Sequence, residues 1–514
     1  MGTDIIIRSG PTDGMVVLGV PVGSPRFIGT HLESLCKKME ADIAAIEGLK
    51  LPLQQQYLLL TKCIASQMQF VQRAVKPSMF NDDFYTAASR LMCDFFYRMV
   101  FGDDTTAGDE IIEKMASLPA KRGGFGISFP LYVGIPAYLA GLGAFLNGGD
   151  YLPACVRELQ RGLDSNDLFG ALDILSMIQE DQPYKTAMEL NKVTKLPGNH
   201  QEIAAACRKG KGLARLIQDV FVDYFANDVE ERMDTMGDEE APPHVQKQQV
   251  LTAKSNLWSH QQQGASELWT LLPSDHGLKL SDRAFRVAAA LRLGYIFPPC
   301  VRDDSGPLYR GCSQSHGKEL LFCDIHHCTS CIHITGPGNL TERHNNVLKE
   351  LTYLMRRAGA SAILEPQSIV TSTNTHADLY LAFPLGQAQL MIDVTVISPT
   401  PEGKLYATAK EPLAACRLKE EEKAKSYRDM YKERGINFRT MAFEVSGAYG
   451  NETKEIFKEL AQFFTNYNQD TGFPETFMCR TYLKYVKQRL AVRIAESNAN
   501  NLFACVTAAK KRIY

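Results

Sequence analysis

The sequence lacks any apolar run approaching the roughly 18 residues that a membrane-spanning helix requires, and it has no charged-then-apolar leader. These absences exclude a helical membrane protein and set the expectation of an intracellular chain with no membrane partner. An excess of either charge is also missing: 56 Lys+Arg against 58 Asp+Glu leave a formal net charge of −2. No global basic field therefore draws this chain to nucleic acid, and any such contact must come from local patches. The 13 cysteines are odd in number and unevenly spread, which argues against a disulfide framework and for a local metal site. What remains is ordinary for a globular protein: 514 residues, 45% hydrophobic and 22% charged, enough for two to four domains with real cores.

Residues 15–24 read as a short apolar strand ending in small turn residues. A helix with Ile28, Leu32, Leu35, Met39, Ile43 and Ile46 on one stripe follows. A second begins after Pro52 with Tyr57, Leu60, Ile64, Met68 and Val71, and a third over 80–100 carries Phe84, Ala88, Leu91, Phe95 and Met99. These stripes predict core. Asp103-Asp104 has no flanking hairpin strands and reads as a helix cap. Gly123, Gly124 and Gly126 allow a tight bend beside Lys121 and Arg122, either a phosphate contact or a turn that lets an aromatic pack. Helices continue over 133–233, and the polar, Pro-containing stretch 234–249 reads as a linker. Two helices are expected over 246–272 and one over 281–293, capped by Ser281, whose Arg283, Arg286 and Arg292 are candidates for phosphate.

Seven potential metal ligands crowd into residues 312–331: Cys312, His316, Cys323, His326, His327, Cys328 and Cys331. Tetrahedral Zn²⁺ takes four such ligands. Cys323, His327 and Cys331 recur at four-residue steps, and Cys312 or His316 can complete the set, with Cys328 as a substitute. Four protein ligands leave no open position, so the expected role is structural. A helix starting near Asn339 then buries Val347, Leu351 and Leu354, with Arg343 toward its start and His344 facing the opposite side.

The densest chemistry lies in 371–396, two strand-like runs that each carry one acid, Asp378 and Asp393, around a loop with Pro384 and Gly386. Paired as a hairpin, the two carboxylates repel each other unless a cation sits between them, and Mg²⁺ or Mn²⁺ prefers such oxygen ligands. Glu365 precedes them in a short strand-like run, and a charged helix over 411–436 follows with Lys423, Lys425, Tyr427 and Tyr431. Three acids and then a lysine is the order of ligands and base in restriction-like nucleases.

The ordered succession VLGVPVGS, LP..RGGFGI, SDRAFR.A..LRLGY, the Cys/His cluster, RHN, EP, ADL, IDVTV and K...Y resembles the C-terminal part of eukaryotic non-LTR retrotransposon reverse transcriptases, over residues 15 to about 465. That resemblance implies a helical thumb after a polymerase palm (1–233), the linker, a helical connector (250–300), a zinc knuckle (301–338), a restriction-like endonuclease (339–470) and C-terminal helices (471–514). It implies knuckle ligands Cys312, Cys323, His327 and Cys331, nuclease acids Asp378 and Asp393 with Glu365 nearby, and a lysine at Lys423, four before Tyr427. Two departures stand out: His376 replaces the arginine usual before the Ala-Asp pair, and Cys312 and Cys323 are farther apart than a close cysteine pair. The Tyr-x-Asp-Asp hairpin of a palm is absent, so templated synthesis by this polypeptide alone is not expected.

The fold expected is α+β, mostly α. The function expected is divalent-metal-dependent DNA hydrolysis in the nucleus, with Zn²⁺ structural and Mg²⁺ or Mn²⁺ catalytic. DNA is the expected partner, with template RNA and a separate polymerase subunit as further ones. The basic contacts would be Lys121, Arg122, Arg283, Arg286, Arg343, His344 and His376. The alternative is a catalytically dead nucleic-acid-binding remnant or a scaffold. Elemental analysis of purified protein should find about one zinc per chain, lost when Cys323 and Cys331 are both replaced by serine; zinc-free protein purified without chelator would remove the knuckle.

Overall fold

The computed structural model describes residues 14–75, 82–102, 110–134, 137–138, 222–223, 226–232, 243–294, 302–303, 306–307, 329, 337–366, 377–382, 389–400, 404–467 and 473–513. The chain is mixed α/β and mostly helical, with small sheets. Among the described residues no helix is long and apolar enough to cross a membrane.

The expected first strand is instead a two-stranded antiparallel hairpin, β1 (Gly14–Val17) and β2 (Val20–Gly23), because Leu18 and Gly19 take positive φ and turn the chain back. Ser24 then caps α1 (Pro25–Gly48), its hydroxyl accepting from the Phe27 N–H at 3.2 Å while Pro25 supplies a preset first φ. The expected stripe of α1 is buried at Ile28, Leu32, Met39, Ile43 and Ile46. Next come α2 (Leu53–Leu59), a π turn (Leu60–Ile64) and α3 (Ala65–Ala74), with Tyr57, Leu60, Ile64, Met68 and Val71 all inside. Helices α4 (Asp82–Phe101) and α5 (Glu110–Ser117) complete this part. Asp103 and Asp104, like most of 133–233, lie outside the described residues.

The glycine bend serves packing. Gly123 and Gly126 have φ of 85° and 68°, and a Cβ at Gly124 would lie 2.1 Å from the Leu118 carbonyl. This lets Phe125 insert edge-on against Phe96 and Trp269, with centroids 4.8 and 4.6 Å away. Beneath it lies Arg292 of α7 (Asp282–Leu293), a helix capped by Ser281 as expected. Arg292 is fully buried rather than facing phosphate; its guanidinium donates to the carbonyls of Gly124 (2.9 Å), Ala265 (3.0 Å) and Ala120. Burial lowers its pKa to about 9 against the small opposing influence of Tyr57.

The linker reading needs correction: α6 runs Pro243–Gln261, so its last residues are helical, and one helix followed by a 3-10 turn (Leu268–Thr270) stands where two helices were expected. After a minimal ladder of β3 (Arg302–Asp303) and β4 (Gly306–Pro307), α8 (Pro337–Arg357) leads into β5 (Ser361–Leu364), β6 (Leu379–Ala382), β7 (Gln389–Ile397), α9 (Leu405–Thr408), α10 (Ala414–Lys432), β8 (Asn437–Glu444) and α11 (Asn451–Tyr467). The four later strands form one sheet in chain order; β6 runs against its neighbours and β7 pairs β8 in parallel. A parallel pair needs a long return connection, which α9 and α10 provide.

A single long helix, α12 (Tyr482–Ile513), takes the place of several C-terminal helices and packs on α8 and α7. Glu350 of α8 forms an ion pair with Arg489 at 2.6 Å and accepts from Arg493 at 3.0 Å. One apolar cluster runs from Ile28 through the sheet to Leu502, so the expected segments share a continuous interior.

Arg292→Leu should destabilise the fold by about 3 kcal/mol, because three buried carbonyls lose their donor. Arg292→Lys should recover part of that loss, and both effects are readable as a lowered melting temperature by circular dichroism. An unchanged Arg292→Leu melting temperature would contradict this role.

Candidate active site

Register brings the acids together. Leu379 pairs Ile392 across the antiparallel β6–β7 ladder, so the next pair outward is Asp378 with Asp393, as the hairpin reading expected. Opposed side chains on such a pair lie about 5 Å apart, where two carboxylates repel by about 3 kcal/mol at an effective dielectric near 20. The loop carrying Pro384 and Gly386 lies outside the described residues.

Local donors hold each carboxylate. Asp378 Oδ2 accepts from the Val394 backbone N–H at 2.7 Å. Its Oδ1 faces His344 Nε2 on α8 at 3.4 Å, so His344 does point toward the acids. Asp393, with its side chain 3% exposed, meets Lys423 Nζ from α10 at 3.2 Å (Oδ1) and 3.1 Å (Oδ2). Lys423 thus reaches in from the helix, as the sequence implied. Asp393 Oδ2 accepts no hydrogen bond despite that proximity, and is one of the buried oxygens of the fold without such a partner.

These contacts set the titration. Burial, then repulsion from Asp378, raises the Asp393 pKa from 3.8 to about 6, against the pull of Lys423 and His344. The hydrogen bond to Asp378 raises that of His344, with burial opposing and both acids adding. Burial acts against charge on Lys423, but Asp393 outweighs it and the pKa goes up. Lys423 is therefore an ammonium at neutral pH.

Helical spacing lines one face of α10 with Lys423, Tyr427 and Tyr431 over the sheet. Lys423 Nζ lies 5.6 Å from the Tyr427 ring centroid. Burial, reinforced by the two acids and opposed by Lys423, raises the Tyr427 pKa. Tyr431 is fully buried and stacks on Phe438 at 5.8 Å; its hydroxyl accepts from the Ala377 N–H at 2.9 Å, fixing the approach to Asp378. Sequence reasoning noted Tyr431 but gave it no role; its i+4 step from Tyr427 was the available signal. It missed Thr440 altogether. This buried residue is in register with Asp393, and its hydroxyl has no hydrogen-bond partner.

Several other candidates are placed elsewhere. Lys425 is exposed and, two residues on from Lys423, points away from the acids. Glu365, by contrast, stands opposite Asp378 in the β5–β6 register, its backbone N–H donating to the Asp378 carbonyl at 2.8 Å; it adopts φ 43° and is exposed, and its carboxylate makes no polar contact among the described residues. Arg343 is an interior residue, 4% exposed, and donates to the Thr329 carbonyl (2.7 Å), Asn498 (3.2 Å) and the Val396 carbonyl (3.3 Å), so it is not available to phosphate. Arg283 holds Asn500 at 2.6 Å and covers Phe503, while Arg286 donates to the Met99 carbonyl at 3.1 Å. Arg122 pairs with Asp223, and Lys121 is exposed. His376, Cys312, His316, Cys323, His326, His327, Cys328 and Cys331 lie outside the described residues.

Among the described residues no three His, Cys, Asp or Glu side chains converge as a ready metal cage. Two carboxylates nevertheless suit a hard divalent ion whose other positions are filled by water and phosphate oxygens, and the unsatisfied Asp393 Oδ2 is a fitting donor.

The raised Asp393 pKa has a sign that can be tested. The folded chain holds this proton more tightly than the unfolded chain, so the stability linked to it is full below about pH 4 and is lost as pH rises to about 6. Metal-free Asp393→Asn protein should therefore melt higher than the parent by a few degrees near neutrality. That gap should open between about pH 4 and 6 and stay flat beyond about 7. A gap independent of pH would refute the burial of this charge.

No protein-family model matches the chain, and no curated protein matches it.

Proposed function

We propose that this chain is a divalent-metal-dependent DNA endonuclease of the restriction-like kind. Its helical region would be a thumb, its Cys/His segment a structural zinc knuckle, and the whole a derivative of a non-LTR element that works in the nucleus without polymerase activity of its own. The observation that carries the reading is the meeting of Asp378, Asp393 and Lys423, the first two across a hairpin and the third from the crossover helix. Sequence order alone does not require that meeting.

Asp378 and Asp393 would hold Mg²⁺ or Mn²⁺, which when bound supplies an activated water and neutralises charge building at phosphorus. The chain's own groups do the rest. Val394 N–H and His344 fix the Asp378 carboxylate so that its oxygens are preorganised. Lys423, 25% exposed where Asp393 is 3% exposed, marks the side of the acid pair open to solvent. Because its pKa is raised, it acts as a fixed cation that stabilises negative charge on the attacked phosphate rather than as a proton acceptor. Tyr431, buried beneath, is a positioning residue for the strand that carries Asp378.

A second reading, a catalytically silent DNA- or RNA-binding remnant or a scaffold for a polymerase subunit, draws on the same pairs. Lys423 and His344 already contact one carboxylate each. Nicking of supercoiled plasmid separates the two. The nuclease reading expects Mg²⁺- or Mn²⁺-dependent nicking that Asp393→Ala abolishes, and that Lys423→Ala slows on the order of a hundredfold, the size of effect from removing one preorganised charge donor. No nicking from folded protein with either metal would leave the remnant.

A further inference from the structure

Tyr406 is a large aromatic ring standing in solvent, 56% exposed, on the short helix α9 that joins β7 to α10. Lys410 Nζ sits 4.0 Å from its ring centroid, covering one face. Two more exposed lysines flank it. Lys404 lies at the start of α9, and Lys247 lies on α6, against which α9 packs. The hydrogen bond from the Ser255 hydroxyl to the Pro399 carbonyl, at 2.6 Å, ties α6 to the chain leaving β7. The Tyr406 hydroxyl feels these cations: a hydrogen bond with Lys410 and then its charge lower the pKa, with Lys247 adding.

Two neighbouring acids among the described residues are already matched. Glu411 pairs with Arg417 at 3.0 Å and Glu422 with Lys419 at 2.6 Å. Among the described residues, Lys247, Lys404 and Lys410 form no ion pair, so the patch carries a local positive charge on a chain whose net charge is −2. The patch lies on the connection between β7, which carries Asp393, and α10, which carries Lys423.

An exposed ring with cations around it is the arrangement that receives an unpaired base and its phosphates. Stacking of a base on an aromatic side chain is worth about 1–3 kcal/mol, whereas the bases of an intact duplex are already stacked and cannot reach it. We propose that Tyr406, with Lys410, Lys404 and Lys247, is a platform for single-stranded DNA on the connection between the two elements that carry Asp393 and Lys423. Resting on the nuclease reading, this gives the substrate class as DNA with an unpaired strand.

The test is fluorescence anisotropy of the full chain with a labelled oligo(dT) of about 20 nucleotides, longer than one stacking site needs, and with the matching duplex. EDTA is present throughout so that binding is read without cleavage. Tyr406→Ala should weaken oligo(dT) binding about tenfold and duplex binding less than about twofold, while Tyr406→Phe, which keeps the ring, stays close to the parent. Lys410→Gln and Lys247→Gln should each flatten the dependence of log K on log salt by about 0.7 for the single strand. The platform is overturned by unchanged oligo(dT) affinity in Tyr406→Ala, by an equal loss on the duplex, or by no oligo(dT) binding in the parent. Because binding is read without metal, absence of nicking in the separate plasmid assay with Mg²⁺ or Mn²⁺ would sink the nuclease reading alone, and metal-dependent nicking with an oligo(dT) affinity unaltered in Tyr406→Ala would sink the platform alone.

Discussion

Two negative charges on adjacent strands of a nearly closed sheet face are the constraint around which the C-terminal part is arranged. Asp378 and Asp393 share one cross-strand position, so a slip of one residue in the β6–β7 register would put them on opposite faces and dissolve the site. Holding them together requires positive charge on both flanks. The chain supplies it from two helices that reach the sheet by different routes, α8 with His344 and α10 with Lys423. The raised Asp393 pKa measures the imbalance that remains: burial and repulsion together outweigh one lysine and one histidine. Perturbed carboxyls of this kind cluster at functional sites.

The scaffolding around the acids follows from the same need for rigidity. Tyr431 stacks flat on Phe438 and accepts the Ala377 N–H, so the residue before Asp378 is fixed by a side chain that itself has no freedom. Arg343 donates to the carbonyls of Val396, three residues beyond Asp393, and of Thr329, and to the side chain of Asn498 on α12. The strand that bears Asp393 is thereby tied to the last long helix. Glu350, about two turns further along α8, ties that helix to Arg489 and Arg493 of α12. The interior that results is continuous from α1 to α12, so the sheet is braced by the helical region.

Arginine is where reading from sequence went furthest astray, and the reason is chemical. Five donors in a planar fork serve a phosphate and a set of backbone carbonyls equally well. Arg292 and Arg343 hold carbonyls in the interior, and Arg286 holds one at its edge, while Arg283 lies on Phe503. Nothing in the local spacing separates these uses. Among the described residues, exposed cations include Lys121 and Arg283 and also lysines of α6 and of the crossover, which were not among the expected contacts.

Local rules determined much of the rest. Apolar steps of three and four gave α1 to α4 and the buried side of α8, Ser281 gave the start of α7, and β-branched runs around a Pro/Gly loop gave the hairpin with its two acids. The order of acids and lysine was legible too, because residue type and spacing are local facts. Only the tertiary structure decided that Lys425 falls away from the acids, that Tyr431 and Thr440 come to them, and that residues 243–249 are helical. Each of those outcomes depends on which face of one element meets another far along the chain. Pairing register and packing set that choice, and no window of neighbouring residues contains it.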